Sequence, residues 1–140
     1  MVRIDGGEAL LIDESYNANP ASMAATLKSL GAETGVGRRI AVLGPMRELG
    51  AQADALHAAL APSVTDAKVD ELVLVGEDMA PLERALDGRV RVTRAGDAEE
   101  ATRAVLELLR PGDAVLVKAS NSIGLARVVE RLKEAECFTS

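Results

Sequence analysis

Five short apolar runs punctuate the chain: ALLI (residues 9–12), IAVLG (40–44), LVLVG (72–76), VRV (90–92) and AVLV (114–117). Each has strand length and aliphatic, often β-branched content, the pattern of strands covered on both faces. Between them, apolar residues recur at helical spacing. Asn19 before Pro20 opens one helix, with Met23, Leu27 and Leu30 on one face and Gly31 as its stop. A second helix is expected over 51–60, with Ala53, Leu56 and Leu60 inward, and a short one near 79–86. A fourth begins at Asp97, where Glu100 completes a capping box. Its inner face is Ala101, Val105 and Leu108, and Pro111-Gly112 ends it. The last is expected over 122–133, burying Leu125, Val128, Val129 and Leu132. This alternation predicts a Rossmann-like three-layer α/β/α domain with a mostly parallel sheet. The opening MVRIDGGEALLID reads as a hairpin turning at Gly6-Gly7, which adds one antiparallel N-terminal edge strand.

Composition narrows the picture. The 140 residues suit one domain, 1–140, and a hydrophobic share of 48% supports a core. Tyr16 and Phe138 are the only aromatic residues, so that core is aliphatic. A net charge of −6 argues against a nucleic-acid surface. No apolar run approaches the ~20 residues of a membrane span, and no signal peptide is visible. Cys137 is the single cysteine, which excludes an internal disulfide and fits a cytoplasmic setting. No Cys/His cluster suggests zinc.

In an open α/β sheet, ligands bind beyond the carboxyl ends of the strands. Three of these ends carry unusual polar sequence: DESYNANP (13–20), GPMRELG (44–50) and KASNSIG (118–124). The other two, GED (76–78) and TRAG (93–96), read as ordinary turns. In the first, Ser15, Asn17 and Asn19 are explained by turn and cap chemistry, but Asp13 and Tyr16 are not. A carboxylate there suits a ribose diol, a tyrosine ring a purine face, and an asparagine amide a base edge. In the second, Arg47 is either an anion ligand or half of a solvated pair with Glu48. In the third, Lys118 stands before a helix start at Ser120, Asn121 and Ser122, a setting that favours phosphate or carboxylate; a serine cap beside a snorkelling lysine is the plainer reading. His57, the only histidine, neighbours the inner face of its helix and reads as packed and hydrogen-bonded rather than catalytic. No GxxxxGK[ST] loop, no GxGxxG after a strand and no nucleophile–base pair is present. These residues describe a module that contributes contacts to a polar ligand, not a complete catalyst.

The same three stretches resemble the C-terminal domain of the Mur ligases. That family reads D-S-Y-N-A-N-P-x-S-M, V-L-G-D-M-x-E-L-G and V-L-V-K-G-S-x-S. This chain reads DESYNANPASM (13–23), VLGPMRELG (42–50) and VLVKASNS (115–122), in the same order and spacing along essentially its whole length. Glu14, Pro45 and Ala119 depart from the pattern, and Pro45 removes the family's aspartate from its loop. The resemblance implies one domain of a three-domain, ATP- and Mg2+-dependent ligase that adds D-Ala-D-Ala to the UDP-N-acetylmuramoyl tripeptide. The N-terminal and central domains of that enzyme would hold the UDP-sugar and the ATP phosphate loop. This domain would close over ATP and the dipeptide. It implies that Asp13 faces the ribose, with Tyr16, Asn17 and Asn19 around the adenine. Arg47, Glu48, Lys118, Ser120 and Ser122 would face the phosphate end and the dipeptide. Two other readings fit the residues. A receiver-like phosphoacceptor would use Asp13, Glu14 and Lys118 but requires an aspartate ending the third strand, where Gly76 stands. A ligand-free interaction domain would need only polar turns.

Overall fold

The computed structural model describes residues 2–4, 7–14, 19–46, 50–118 and 127–130; residues 2–4, 7, 8, 13 and 14 are described by their backbone alone. Among the described residues the strands are β1 (Val2–Ile4), β2 (Gly7–Glu14), β3 (Arg39–Leu43), β4 (Glu71–Val75), β5 (Arg91–Ala95) and β6 (Ala114–Lys118). Between them lie the helices α1 (Pro20–Ala32), α2 (Ala53–Ala58), α3 (Ala61–Asp66), α4 (Ala80–Leu86) and α5 (Ala98–Leu108). Residues 127–130 are also helical.

The sheet order is β1-β2-β6-β3-β4-β5. β2, β6, β3, β4 and β5 are parallel throughout. At the edge of this parallel body β1 pairs with β2 in a short antiparallel ladder, with Val2 opposite Ala9 and Ile4 opposite Gly7. The adjacent Gly6 lies outside the described residues.

Alternation along the strands divides the core in two. Ile40, Val42, Val73, Val75, Val115 and Val117 point to one face, where Ala101 and Val105 of α5 and the helical Val128 and Val129 cover them. Ala41, Leu43, Leu72, Leu74, Ala114 and Leu116 point to the other, beneath residues of α1, α3 and α4. Period-2 alternation with apolar residues on both faces is what a doubly covered strand demands. The three-layer expectation therefore holds.

Local chemistry sets the helix bounds. Asn19 caps α1: its side-chain oxygen accepts from the Ser22 amide at 2.8 Å, and the Ser22 hydroxyl accepts from the Asn19 amide at 3.0 Å. Gly31 does not end this helix, which runs to Ala32. It serves a close approach instead, since a Cβ there would lie 2.8 Å from the Ala67 Cα at the end of α3. The helix expected over 51–60 is shorter: a 3-10 turn at Gly50–Gln52 leads into α2, and a further helix that was not expected, α3, follows it. Pro62 lies in the first turn of α3, where its missing N–H has no helical partner to lose. β5 extends to Ala95, so Thr93 and Arg94 belong to a strand and not to a turn. At α5, Asp97 accepts from the Glu100 amide at 2.9 Å, and the Glu100 carboxylate accepts from Gly96 rather than from the cap residue.

The Arg38-Arg39 pair is structural. Arg38 donates to Asp113 at 2.9 Å and also to the Leu108 carbonyl. Arg39 donates to the Leu30 and Glu33 carbonyls at 3.1 and 2.6 Å, satisfying the carboxyl end of α1. The hydrogen bond to Asp113 raises the Arg38 guanidinium above its ordinary value against the opposing effect of desolvation, with the Asp113, Glu71 and Asp70 charges adding to the rise. Since Arg38 and Asp113 immediately precede β3 and β6, this network closes the amino-terminal edge of the sheet.

Candidate functional site

At the carboxyl edge, the three strands followed by unusual polar sequence are neighbours, in the order β2-β6-β3. Glu14 of β2 and Leu43 of β3 both stand opposite Lys118 of β6, so the three ends are level. The Gly44 amide donates to the Lys118 carbonyl at 2.9 Å, which carries the ladder one residue past β3.

The chain leaves these ends toward opposite faces. After β2 it enters α1, whose Met23, Leu27 and Leu30 pack in one core. After β3 it passes through α2 to α3 on that same side, where Leu60 and Val64 are buried. After β6 it reaches Val128 and Val129 in the other core. Connections that diverge from adjacent parallel strands leave a crevice between them, the topological switch point at which open α/β sheets bind ligands. Both flanks of β6 have this character.

The remaining two strand ends satisfy themselves. Gly76, at φ 91°, donates to the Ala95 carbonyl at 2.9 Å. Arg94 reaches across to the Gly76 carbonyl at 3.1 Å and to Glu83 at 3.0 Å. β4 ends on Val75, and Asp78 lies within the following 3-10 turn, so the aspartate a receiver-like module requires is missing from that strand end.

The structure places the expected site residues as follows. Asp13 is in β2, its backbone opposite Val117. Lys118 closes β6 and is 2% exposed. Burial of an ammonium group is tolerated only with partners, so this lysine is held rather than solvated. Asn19 is exposed at the N-cap; its oxygen is engaged by Ser22, and a ligand contact would run through its NH2 group. Tyr16, Asn17, Arg47, Glu48, Ser120 and Ser122 lie outside the described residues. The segments that carry them begin at Glu14, Met46 and Lys118, on this one rim. Among the described residues no group of three or more His, Cys, Asp and Glu side chains is placed to hold a metal ion. The Mg2+ that the resemblance implies is therefore assigned to no residue here. No helix among the described residues is long and apolar enough to cross a membrane.

His57 is packed and hydrogen-bonded, as its place in the pattern suggested. It is 1% exposed, accepts from the Met46 amide at 2.9 Å through Nε2, and lies 2.7 Å from the Ala53 carbonyl through Nδ1. Its link to the second polar segment was not visible in the sequence, where only its being the sole histidine set it apart.

Fold and rim define a doubly wound α/β module with its polar strand ends at a switch point. Residues 1–121 match the family described as Mur ligase, glutamate ligase domain, and the chain belongs to that family. A UDP-N-acetylmuramoyl-tripeptide--D-alanyl-D-alanine ligase of Synechocystis is 37% identical over 129 residues, covering 91% of this chain and 28% of that protein. The crystal structure of MurF from Acinetobacter baumannii superposes with a TM-score of 0.80 at 25% identity, over 94% of this chain and 29% of that one. A solved domain of a Haemophilus ducreyi protein, described as a UDP-N-acetylmuramate:L-alanyl-gamma-D-glutamyl-medo-diaminopimelate ligase, has a TM-score of 0.65 at 20% identity. That match covers 96% of this chain and 98% of that one, a likeness of fold between chains of similar extent. The chain thus spans under a third of the Synechocystis and Acinetobacter proteins. Membership favours neither the receiver-like nor the ligand-free reading.

Proposed function

We propose that this chain works as the C-terminal domain, 1–140, of a three-domain cytoplasmic ligase in peptidoglycan precursor synthesis. That ligase joins D-Ala-D-Ala to the UDP-N-acetylmuramoyl tripeptide at the expense of ATP. The observation that carries the reading is the adjacency of β2, β6 and β3, whose level carboxyl ends are the starting points of three polar segments distant in sequence. Family membership and the names of the relatives support it.

The reaction needs the tripeptide carboxylate activated by ATP, then attacked by the dipeptide amine. The amide C–N bond forms as the C–O bond to phosphate breaks, and the amine releases a proton. The part of this domain is to bind, orient and exclude water. Asp13 would accept from the ribose diol, with Tyr16, Asn17 and Asn19 at the base. Lys118 with Ser120 and Ser122, and Arg47 with Glu48, would meet the phosphate end and the dipeptide. Closure of such a domain shields a reactive acyl group from hydrolysis.

Magnitudes explain why this half-site does not act alone. One charged hydrogen bond contributes about 1.5–3 kcal/mol and stacking on one ring roughly 1–3 kcal/mol. About 4 kcal/mol corresponds to roughly millimolar affinity before entropic costs. The isolated chain is therefore expected to turn over no ATP.

The experiment is a graft. This chain replaces the matching segment of the Synechocystis ligase, with the equivalent segment of the Mycobacterium tuberculosis relative as the control graft. ATP-dependent addition of D-Ala-D-Ala by both grafts is expected. A folded, inactive graft of this chain beside an active control contradicts the proposal.

A further inference from the structure

We infer that His57 is a positioning residue that fixes where the chain leaves β3 for the substrate-facing segment. The inference rests on the reading of residues 44–50 given above. A carbonyl only accepts, so the nitrogen facing Ala53, Nδ1, carries the proton. Nε2 is then a bare acceptor, and it takes the Met46 amide at 2.9 Å. Ala53 is the first residue of α2 and lies four residues before His57, so the helix carrying the ring also sets its orientation.

The amide it holds has few alternatives. Met46 is 4% exposed, out of reach of water. Pro45 has no N–H, so Met46 offers the first donor after Gly44, whose own amide is held by Lys118. The imidazole thereby ties two points eleven residues apart and closes a loop containing Arg47 and Glu48. Both of its nitrogens are committed and the ring is buried, which leaves it no position from which to touch substrate. It acts through the backbone, by fixing the departure of the loop.

Two measurements test this. In this chain, a scalar coupling across the hydrogen bond between the Met46 amide nitrogen and His57 Nε2 is expected, with the Nδ1–H tautomer in long-range proton–nitrogen spectra. Absence of the coupling, or an Nε2–H tautomer, overturns the inference. In the ligase that carries this chain, His57→Leu fills the space without either polar group. It should raise KM for D-Ala-D-Ala by about tenfold, equivalent to about 1.4 kcal/mol, with kcat changed by less than about twofold. His57→Gln, whose amide oxygen reaches toward Met46, should recover most of the loss. Should His57→Leu fail to fold, His57→Asn, which keeps only the reach to Ala53, replaces it with the same expected rise in KM. Arg47→Ala separates the two ideas. An unchanged KM in the His57 variant beside an impaired Arg47→Ala overturns the positioning role and leaves the site reading standing. Unchanged kinetics in both overturns the site reading and the inference with it.

Discussion

The amide of Gly44 donates to the carbonyl of Lys118 across 2.9 Å, joining residues 74 positions apart at the carboxyl rim of the sheet. This bond sets the starting points of two of the three polar segments side by side. Glu14, level with Lys118 on its other flank, adds the third.

Lys118 is the first test of that rim. Lys118→Met keeps the aliphatic stem and removes the charge. A charged hydrogen bond contributes about 1.5–3 kcal/mol, so kcat/KM of the ligase should fall about 10- to 150-fold. Steady-state kinetics with ATP and D-Ala-D-Ala decide; an unchanged kcat/KM excludes Lys118 from the site.

Asn19 acts on stability through its cap. Asn19→Ala should cost about 1 kcal/mol and Asn19→Ser much less, because serine still accepts from the N3 amide. Urea denaturation of this chain measures both. Equal losses would mean that the capping oxygen contributes nothing.

Gly31→Ala sets two effects against each other. Alanine gains about 1 kcal/mol of helix propensity over glycine. The new Cβ, 2.8 Å from the Ala67 backbone, meets an atom that no side-chain rotation removes. Overpacking of this kind costs roughly 1–3 kcal/mol, so a net loss is expected. A rise in the denaturation midpoint would show that α1 and α3 separate freely.

Asp113 holds the amino-terminal edge. It is 3% exposed and accepts from the Arg38 and Arg110 amides, at 3.2 and 2.9 Å, as well as from the Arg38 guanidinium. Asp113→Ala leaves the two buried-edge amides without this acceptor, while the Arg38 guanidinium keeps the Leu108 carbonyl, and should cost about 1–3 kcal/mol, read by thermal or urea unfolding. The Arg38 value is raised on folding, so its share of stability is present below the ordinary arginine value and is lost only as pH rises beyond it. Arg38 therefore contributes no pH dependence between pH 6 and 9.

Much of this was legible in the residues, for physical reasons. Strands β3, β4 and β6 are aliphatic on both faces, and that composition leaves few alternatives to a doubly covered parallel sheet. The Asn19-Pro20 and Asp97 helix starts are local chemistry and fall where the sequence puts them. What failed depended on tertiary context. Gly31 reads as a stop, yet its lack of a side chain serves contact with Ala67, the residue that follows α3. The separate helix α3, with Pro62 in its first turn, was not anticipated. VRV marks only the start of β5: Thr93 and Arg94 read as a turn, yet the strand runs on to Ala95. The insertion of β6 between β2 and β3 depends on long-range pairing that no local pattern encodes, and the grouping of the three polar segments depends on it. The tie from His57 to Met46 is of the same kind.

The central claim is that the ends of β2, β6 and β3 form one half of a nucleotide and dipeptide cleft. Amide chemical shifts of this chain, followed while ATP is added into the millimolar range, test it most directly. The account predicts changes at 13–20, 44–50 and 118–122, and none at Gly76, Asp78 or Gly96. Changes confined to the β4 and β5 ends or to the Arg38–Asp113 edge, or no change at all, would contradict it.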